Sequence, residues 1–173
     1  MLSSYYNSLF VQSAEVTVLF STFQGTADGV SGVEISNGGA IYIDWALDTN
    51  IEDCEFYDMK GVEGGAIYYA PVSTSWAYAI EQKDGREENY NFEINNCHFE
   101  RCTAEQHGGS LFFKNTQLIR VRQSNFVESR AGENGGAIYF WCDPVSIEYQ
   151  KDNEVTCQLN LANGLAFTDC SAR

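Results

Sequence analysis

A six-residue tract that begins with a glycine pair recurs along the chain and constrains its fold more than any other feature. The four copies read GGAIYI, GGAIYY, GGSLFF and GGAIYF. Their glycine pairs are Gly38 and Gly39, Gly64 and Gly65, Gly108 and Gly109, and Gly135 and Gly136. Near-copies at regular spacing are typical of a solenoid, in which each repeat buries its apolar face against its neighbours.

A second repeated position is a phenylalanine that follows each tract. The five are Phe23, Phe56, Phe99, Phe126 and Phe167, the first of them following a degenerate copy of the glycine tract at residues 6–11. Eighteen residues separate Gly38 from Phe56, and again Gly108 from Phe126, and nine more lead from Phe126 to Gly135. The basic unit is therefore about 27 residues long.

Two units are longer than the others, and the excess falls in the same part of each. Gly64 and Phe99 are 35 residues apart, and Gly135 and Phe167 are 32 apart. The extra residues lie at about 71–88 and 143–156. Insertions at one point of a repeat predict loops on one face of a solenoid.

Each unit contains short alternating apolar tracts bounded by Gly, Asn, Asp or Ser, which is the pattern of β-strands. A 27-residue unit has room for three short strands and three turns. We therefore predict an all-β, right-handed parallel β-helix of about five coils, formed by residues 1–173 as a single domain. The glycine pairs would supply the sharp turns, because Gly reaches positive φ without steric cost.

Stacked coils place equivalent residues about 4.8 Å apart, so each repeat position should become a column of like side chains. The five phenylalanines are expected to form one inward column, and the residues Ile41, Ile67, Leu111 and Ile138 another. The residues of opposite parity, Tyr42, Tyr68, Phe112 and Tyr139, are expected to form an aromatic row on the outer side.

The repeats resemble the GGA(I/L) and FxxN repeats of polymorphic outer-membrane proteins, and of similar large surface proteins of protists, all pectate-lyase-like right-handed β-helices. The fourth position of the FxxN motif, three residues after each Phe, is here Thr, Met, Ser or Cys. The cysteines in FERC and FTDC are more similar to the protist proteins. The resemblance covers nearly the whole chain outside the insertions. It implies an extracellular or cell-surface location and a structural or adhesive role.

Charge and hydropathy narrow the set of partners. The net charge of −14 disfavours nucleic acid and anionic lipid surfaces. No run of 18 apolar residues is present, so we expect no direct membrane insertion by this segment. We expect no cofactor, and partners that are further copies of the chain, other surface proteins or glycans.

The six cysteines divide by repeat position. Cys142 and Cys157 bracket the second insertion, and we expect them to form a disulfide. Cys54 and Cys97 share an inward position in adjacent coils, where buried free thiols are favoured over a bridge. Cys102 and Cys170 share a position two coils apart and are too distant to bond.

A zinc site formed by Cys97, His98, Cys102 and His107 is disfavoured, because alternation turns Cys97 inward and His98 outward.

Catalysis would need acids clustered on one face, and the candidate acids and bases do not recur at paired positions. They are Asp44, Asp48, Glu52, Asp53, Glu93, Arg120 and Arg122. We therefore expect no enzyme, no catalytic residue and no metal site. The alternative is a carbohydrate-binding or carbohydrate-active β-helix, with ligand contacts at the outer aromatic row and at Trp76 in the first insertion.

The chain stops where a sixth coil would begin, and neither end contains a polar capping helix. Open solenoid ends invite strand pairing. We therefore expect a segment of a longer repeat array, or a subunit that stacks end to end into fibres.

Overall fold

The computed structural model describes residues 9–12, 15–25, 37–46, 48–70, 91–114, 116, 118–142 and 158–173. Nineteen β-strands lie within these ranges. In chain order they are β1 Leu9–Gln12, β2 Glu15–Leu19, β3 Thr22–Gln24, β4 Ile41–Trp45, β5 Asp48–Glu52, β6 Glu55–Tyr57, β7 Lys60–Gly61, β8 Ile67–Tyr69, β9 Asn91–Asn95, β10 His98–Glu100, β11 Thr103–Ala104, β12 Leu111–Lys114, β13 Leu118–Arg122, β14 Asn125–Val127, β15 Arg130–Ala131, β16 Ile138–Trp141, β17 Gln158–Leu161, β18 Ala166–Thr168 and β19 Ser171–Ala172.

The strands pair in parallel into four sheets, and successive coils contribute successive strands to each. Sheet A has the order β1-β4-β8-β12-β16, sheet B β2-β5-β9-β13-β17, sheet C β3-β6-β10-β14-β18, and sheet D β7-β11-β15-β19. Coil 1 is β1–β3, coil 2 is β4–β7, coil 3 is β8–β11, coil 4 is β12–β15 and coil 5 is β16–β19. The predicted parallel β-helix of five coils is confirmed.

The coil differs from the prediction in having a fourth strand. The strands of sheet D contain only two residues each, as in Lys60–Gly61 and Thr103–Ala104. A two-residue strand contains too little sequence for apolar alternation to be visible, so three strands per unit were expected.

Left-handed backbone marks three corners of the coil. Between sheets D and A the left-handed residue is the first glycine of each pair, with φ of +65° at Gly64. A Cβ on Gly64 would lie 2.1 Å from the carbonyl oxygen of Ile67, so only glycine fits. The second glycine meets a different constraint, because a Cβ on Gly65 would lie 2.0 Å from the carbonyl oxygen of Gly109 in the next coil.

Non-glycine residues adopt the same conformation at the other two corners. Between sheets B and C they are Phe20, Asp53, Asn96 and Gln123, and between sheets C and D they are Asp58, Arg101, Glu128 and Asp169. Their φ values lie between 48° and 55°. These side chains are exposed or half-buried, so packing in the core does not restrict the residue type at these corners.

The core consists of columns of side chains that stack along the axis. The five phenylalanines of sheet C are in register, and their neighbouring ring centroids lie 4.7–5.0 Å apart with planes 2–9° from parallel. In sheet A, Ile41, Ile67 and Leu111 are fully buried, and Ile138 in the last coil is half-buried. In-register stacking thus places like residues one strand apart, as expected.

Both long units depart from the basic one at the corner between sheets A and B. One departure lies between β8 and β9 and the other between β16 and β17. The expected insertions at 71–88 and 143–156 lie outside the described residues. The strands on either side keep their register with the neighbouring coils, as at Tyr69 opposite Ile43 and Ile94 opposite Ile51.

Candidate functional site

The expected outer aromatic row is present as a stack along sheet A. Ring centroids are 5.0 Å apart for Tyr42 and Tyr68, 5.1 Å for Tyr68 and Phe112, and 5.6 Å for Phe112 and Tyr139. The ring planes are nearly parallel for the first two pairs, at 14° and 4°. Each ring therefore covers a face of the next.

Little of the middle of the row is exposed to solvent, and ligand contact along the row stays a prediction. Tyr68 is only 8% exposed and Phe112 only 3%, whereas Tyr42 and Tyr139 are half-buried. A sugar ring packs against the face of an aromatic side chain, and the faces in the middle of the row are occupied by neighbouring rings. Trp76, the fifth expected contact, lies outside the described residues.

His107 packs beside the row. Its ring stacks on Tyr139 with centroids 4.6 Å apart, and it lies 6.5 Å from the ring of Phe112. Its Nε2 lies 3.5 Å from a carboxylate oxygen of Glu133, and its Nδ1 3.3 Å from the amide nitrogen of Asn134. The residue thus joins the turns of coils 3 and 4.

A network of charged side chains crosses coils 1 to 3 at the corner between sheets C and D. Arg101 donates to both carboxylate oxygens of Asp58, with Nε–Oδ1 of 2.6 Å and a terminal nitrogen 3.0 Å from Oδ2. Gln24 donates to the same Oδ2 at 2.9 Å, and Arg101 also pairs with Glu100. The hydrogen bonds from Arg101 hold the pKa of Asp58 below its usual range. Asp58 is therefore ionised near neutral pH and is a poor proton donor.

The remaining polar groups on the outer face of sheet C also have partners. His98 Nε2 lies 3.2 Å from a carboxylate oxygen of Glu100, and its ring is tilted against Tyr57 with centroids 5.6 Å apart. Glu55 accepts a hydrogen bond of 3.3 Å from the hydroxyl of Thr22. The face carries an aromatic ring, two carboxylates and an imidazole, each contacting a neighbour.

The acids and bases that the sequence suggested are distributed among several coils. Asp44 lies in β4 of sheet A, Asp53 at the corner after β5, and the others along sheet B. Glu93 of coil 3 pairs with Arg122 of coil 4. Glu52 accepts a hydrogen bond of 3.1 Å from Asn95, and Asp53 accepts one from Asn96. The side chain of Asp44 lies outside the described residues. The contacts of Glu52 and Asp53 join equivalent positions of adjacent coils, whereas Arg122 lies two residues beyond the position opposite Glu93. These contacts do not bring two carboxylates to a common point.

A recurring hydrogen bond at the corner between sheets B and C was not expected. In coils 1 to 4 the side chain of the residue after this left-handed corner donates to the carbonyl oxygen two residues back. The distances are 2.9 Å for Ser21, 3.2 Å for Cys54, 3.3 Å for Cys97 and 2.7 Å for Ser124. The interchange of Ser and Cys at one repeat position was the signal in the sequence, since both are small donors.

The cysteines follow this pattern. Cys54, Cys97 and Cys102 are buried free thiols, and Cys170 is a half-buried one. A hydrogen bond with Cys54 and burial raise the pKa of Cys97, and burial raises the pKa of Cys102 to about 12. Both thiols are therefore protonated at neutral pH. Among the described residues, no three His, Cys, Asp or Glu side chains lie close enough to hold a metal ion.

The expected bridge between Cys142 and Cys157 falls partly outside the described residues. Cys142 follows β16 and is not among the free thiols, and Cys157 is not described. The pairing stays a prediction.

The chain matches the model of a known protein family. The model of the family described as "right handed beta helix region" matches residues 4–156. Neither the curated proteins nor the solved structures contain a match. Within the described part of the chain, no helix is long and apolar enough to span a membrane.

Proposed function

The chain belongs to the right-handed β-helix family, and from that premise we propose that it is a non-enzymatic structural or adhesive protein of the cell surface or extracellular space. The observation that carries the proposal is the pairing of outward charged groups between adjacent coils. Arg101 is bound to Asp58 and Arg122 to Glu93, so these bases hold the solenoid together. Ion pairs between coils would stiffen the solenoid, as a structural role requires.

Coil 5 has three exposed large apolar side chains, which favour self-association. Phe167 and Leu161 are each 49% exposed and Trp141 is 45% exposed. Phe167 continues the phenylalanine column, and one face of its ring stacks on Phe126. In coils 1 to 4 the opposite face of the ring is covered by the phenylalanine of the following coil. We propose that a second copy of the chain packs on these exposed apolar side chains. Strand edges paired in this way would produce fibres.

Sedimentation velocity of residues 1–173 over a hundredfold concentration range tests this proposal. We expect rod-shaped species that lengthen with concentration, and filaments under the electron microscope. Phe167→Asp should abolish them, whereas Thr168→Asp, an exposed neighbour on the same strand, should leave them unchanged. A wild-type chain that stays monomeric throughout, or equal loss in both variants, would contradict the proposal.

Carbohydrate binding is the second candidate, and the outer face of sheet C favours it over the aromatic row. Tyr57 is half-buried there beside His98, with Glu55 and Glu100 within the same two coils. An aromatic ring with a few polar groups is a common arrangement for ligand recognition. On a glycan array we expect binding that is lost in Tyr57→Ala and retained in Tyr139→Ala. An array on which the wild type binds nothing would remove this candidate.

A further inference from the structure

Cys54 and Cys97 occupy the same corner in consecutive coils. The backbone N–H of His98 donates to the carbonyl oxygen of Cys54 at 2.9 Å, and the residues two positions further on, Phe56 and Phe99, are paired in register. Adjacent parallel strands lie about 4.8 Å apart. Disulfides join residues whose Cα atoms are about 4.4–6.8 Å apart, so the backbone separation at this corner suits a bond.

Both side chains point into the same part of the core. Cys54 is fully buried and Cys97 is 2% exposed. The sulfur of Cys54 lies 3.2 Å from the carbonyl oxygen of Glu52, and that of Cys97 lies 3.3 Å from the equivalent oxygen of Asn95. The sulfur of Cys97 also lies 3.5 Å from the carbonyl oxygen of Ile51 in coil 2, so it points towards the coil that contains Cys54.

The fold does not require thiols at this position. Ser21 and Ser124 occupy it in coils 1 and 4, and their hydroxyls make the same hydrogen bond to the carbonyl two residues back. Cysteine replaces serine in two consecutive coils. A pair of neighbouring thiols can form a bond that a pair of hydroxyls cannot.

We propose that Cys54 and Cys97 are an oxidation site, at which a low-molecular-weight disulfide such as oxidised glutathione converts the two thiols into a bond between coils 2 and 3. One protein thiolate attacks a glutathione sulfur, forms a mixed disulfide and releases one glutathione thiolate. The second protein thiolate then attacks the protein-side sulfur and releases the other. The two cysteine sulfurs are oxidised, the glutathione disulfide is reduced to two thiols, and the two protons end on them.

The bond would tie coil 2 to coil 3 across the stretch of chain that contains the first insertion. The hydrogen bond between the two side chains lowers the pKa of Cys54 to about 7 and raises the pKa of Cys97. Burial withholds both sulfurs from a dissolved disulfide, so the bond forms during folding or local opening. A cross-link over 43 residues of chain restricts the unfolded state, and we expect it to raise Tm by about 5 to 10 °C.

The test is refolding of the full chain from urea in a buffer of reduced and oxidised glutathione, where burial does not block the reagent. Peptide mapping without reduction should recover the Cys54 peptide linked to the Cys97 peptide, and thermal unfolding should show the higher Tm. Cys54→Ser should lose both effects while still folding, since serine fits this position. Cys102→Ser is the matched control and should retain both, because its neighbours in the column are Met59 and Ser129.

Recovery of Cys54 and Cys97 as free thiols, as glutathione adducts, or linked to other cysteines would overturn the proposal. So would a bond that forms without raising Tm in the wild type relative to Cys54→Ser.

Discussion

Phe56 and Phe99 stack face to face in consecutive coils, with ring centroids 4.7 Å apart and planes 3° from parallel. Phe99 is fully buried and has a second stacked partner in Phe126 at 4.8 Å. Truncation at this point removes a buried ring and two stacked pairs and leaves a cavity between coils 2 and 4. Truncation of a ring in this stack therefore measures how much packing between coils contributes to the free energy of unfolding.

We expect Phe99→Ala to lower the free energy of unfolding by about 4 kcal/mol. Phe167→Ala, in the half-exposed ring of coil 5, should cost about half as much. Chemical denaturation of both variants, followed by circular dichroism, checks the difference. Equal losses would mean that the column does not act as a core.

Thr49 is fully buried, and its hydroxyl has no hydrogen-bond partner among the described residues. The equivalent positions in the coils on either side are Val16 and Phe92, which are apolar. A buried hydroxyl without a partner costs about 1–3 kcal/mol. We therefore expect Thr49→Val to raise the free energy of unfolding by about 1 kcal/mol in urea denaturation, while the exposed Thr17→Val changes it by less than about 0.5 kcal/mol. A destabilised Thr49→Val would show that the hydroxyl is satisfied in solution.

Gly64 combines a positive φ with a close carbonyl oxygen, and the two effects can be separated. Gly64→Ala should lower the free energy of unfolding by about 3 kcal/mol, from left-handed strain and from the 2.1 Å contact with Ile67. Gly164 has a φ of +82°, and its added Cβ would come no closer than 3.2 Å to Gln123. Gly164→Ala should therefore cost only about 1 kcal/mol in the same denaturation assay. Similar losses in the two variants would assign the whole effect to backbone strain.

The pair of Asp58 and Arg101 predicts a dependence of stability on pH. Because the folded-state pKa of Asp58 is lowered, the contribution is complete above the unfolded-state pKa, about 3.9, and is lost as the pH falls through the folded-state value. Asp58→Asn should thus lower the urea midpoint modestly at pH 7 and leave it nearly unchanged at pH 2. Asparagine also tolerates the left-handed corner, so backbone strain does not confuse the comparison. An equal difference at both pH values would contradict the assignment.

The bridge predicted between Cys142 and Cys157 has a separate test. Peptide mapping without reduction should recover the two residues in one linked pair. A bond that closes a loop of about 15 residues contributes about 3 kcal/mol, so Cys142→Ser with Cys157→Ser should lower the free energy of unfolding by roughly that amount. Two free thiols in material purified without reductant would exclude the bridge.

The sequence was sufficient to predict the coils because stacking imposes the same spatial restriction on every unit. A glycine is needed wherever backbone approaches backbone, as at Gly64, and a large apolar ring wherever the interior must be filled, as at Phe99. Both restrictions leave a fixed residue type at a fixed interval. Register therefore followed from spacing alone.

The outer surface was less predictable, because its properties depend on contacts between coils. Alternation correctly placed Tyr68 on the outer side of its strand but could not reveal that rings above and below would bury it. The corner at Asp58 and Arg101 has the same backbone in each coil with unrelated side chains, so no residue type marked it. The ion pair between them joins residues 43 apart in the chain.

At the corner between sheets A and B, the number of residues can differ from coil to coil while the pairing of the strands stays the same. Coil 2 crosses it with residues 46–47 and coil 3 with residues 70–90, yet β5 and β9 remain paired residue for residue. A foreign peptide spliced between Lys114 and Leu118 should therefore leave the frame intact. Such peptides, placed in successive coils, would lie along one edge of the solenoid at intervals of about 4.8 Å.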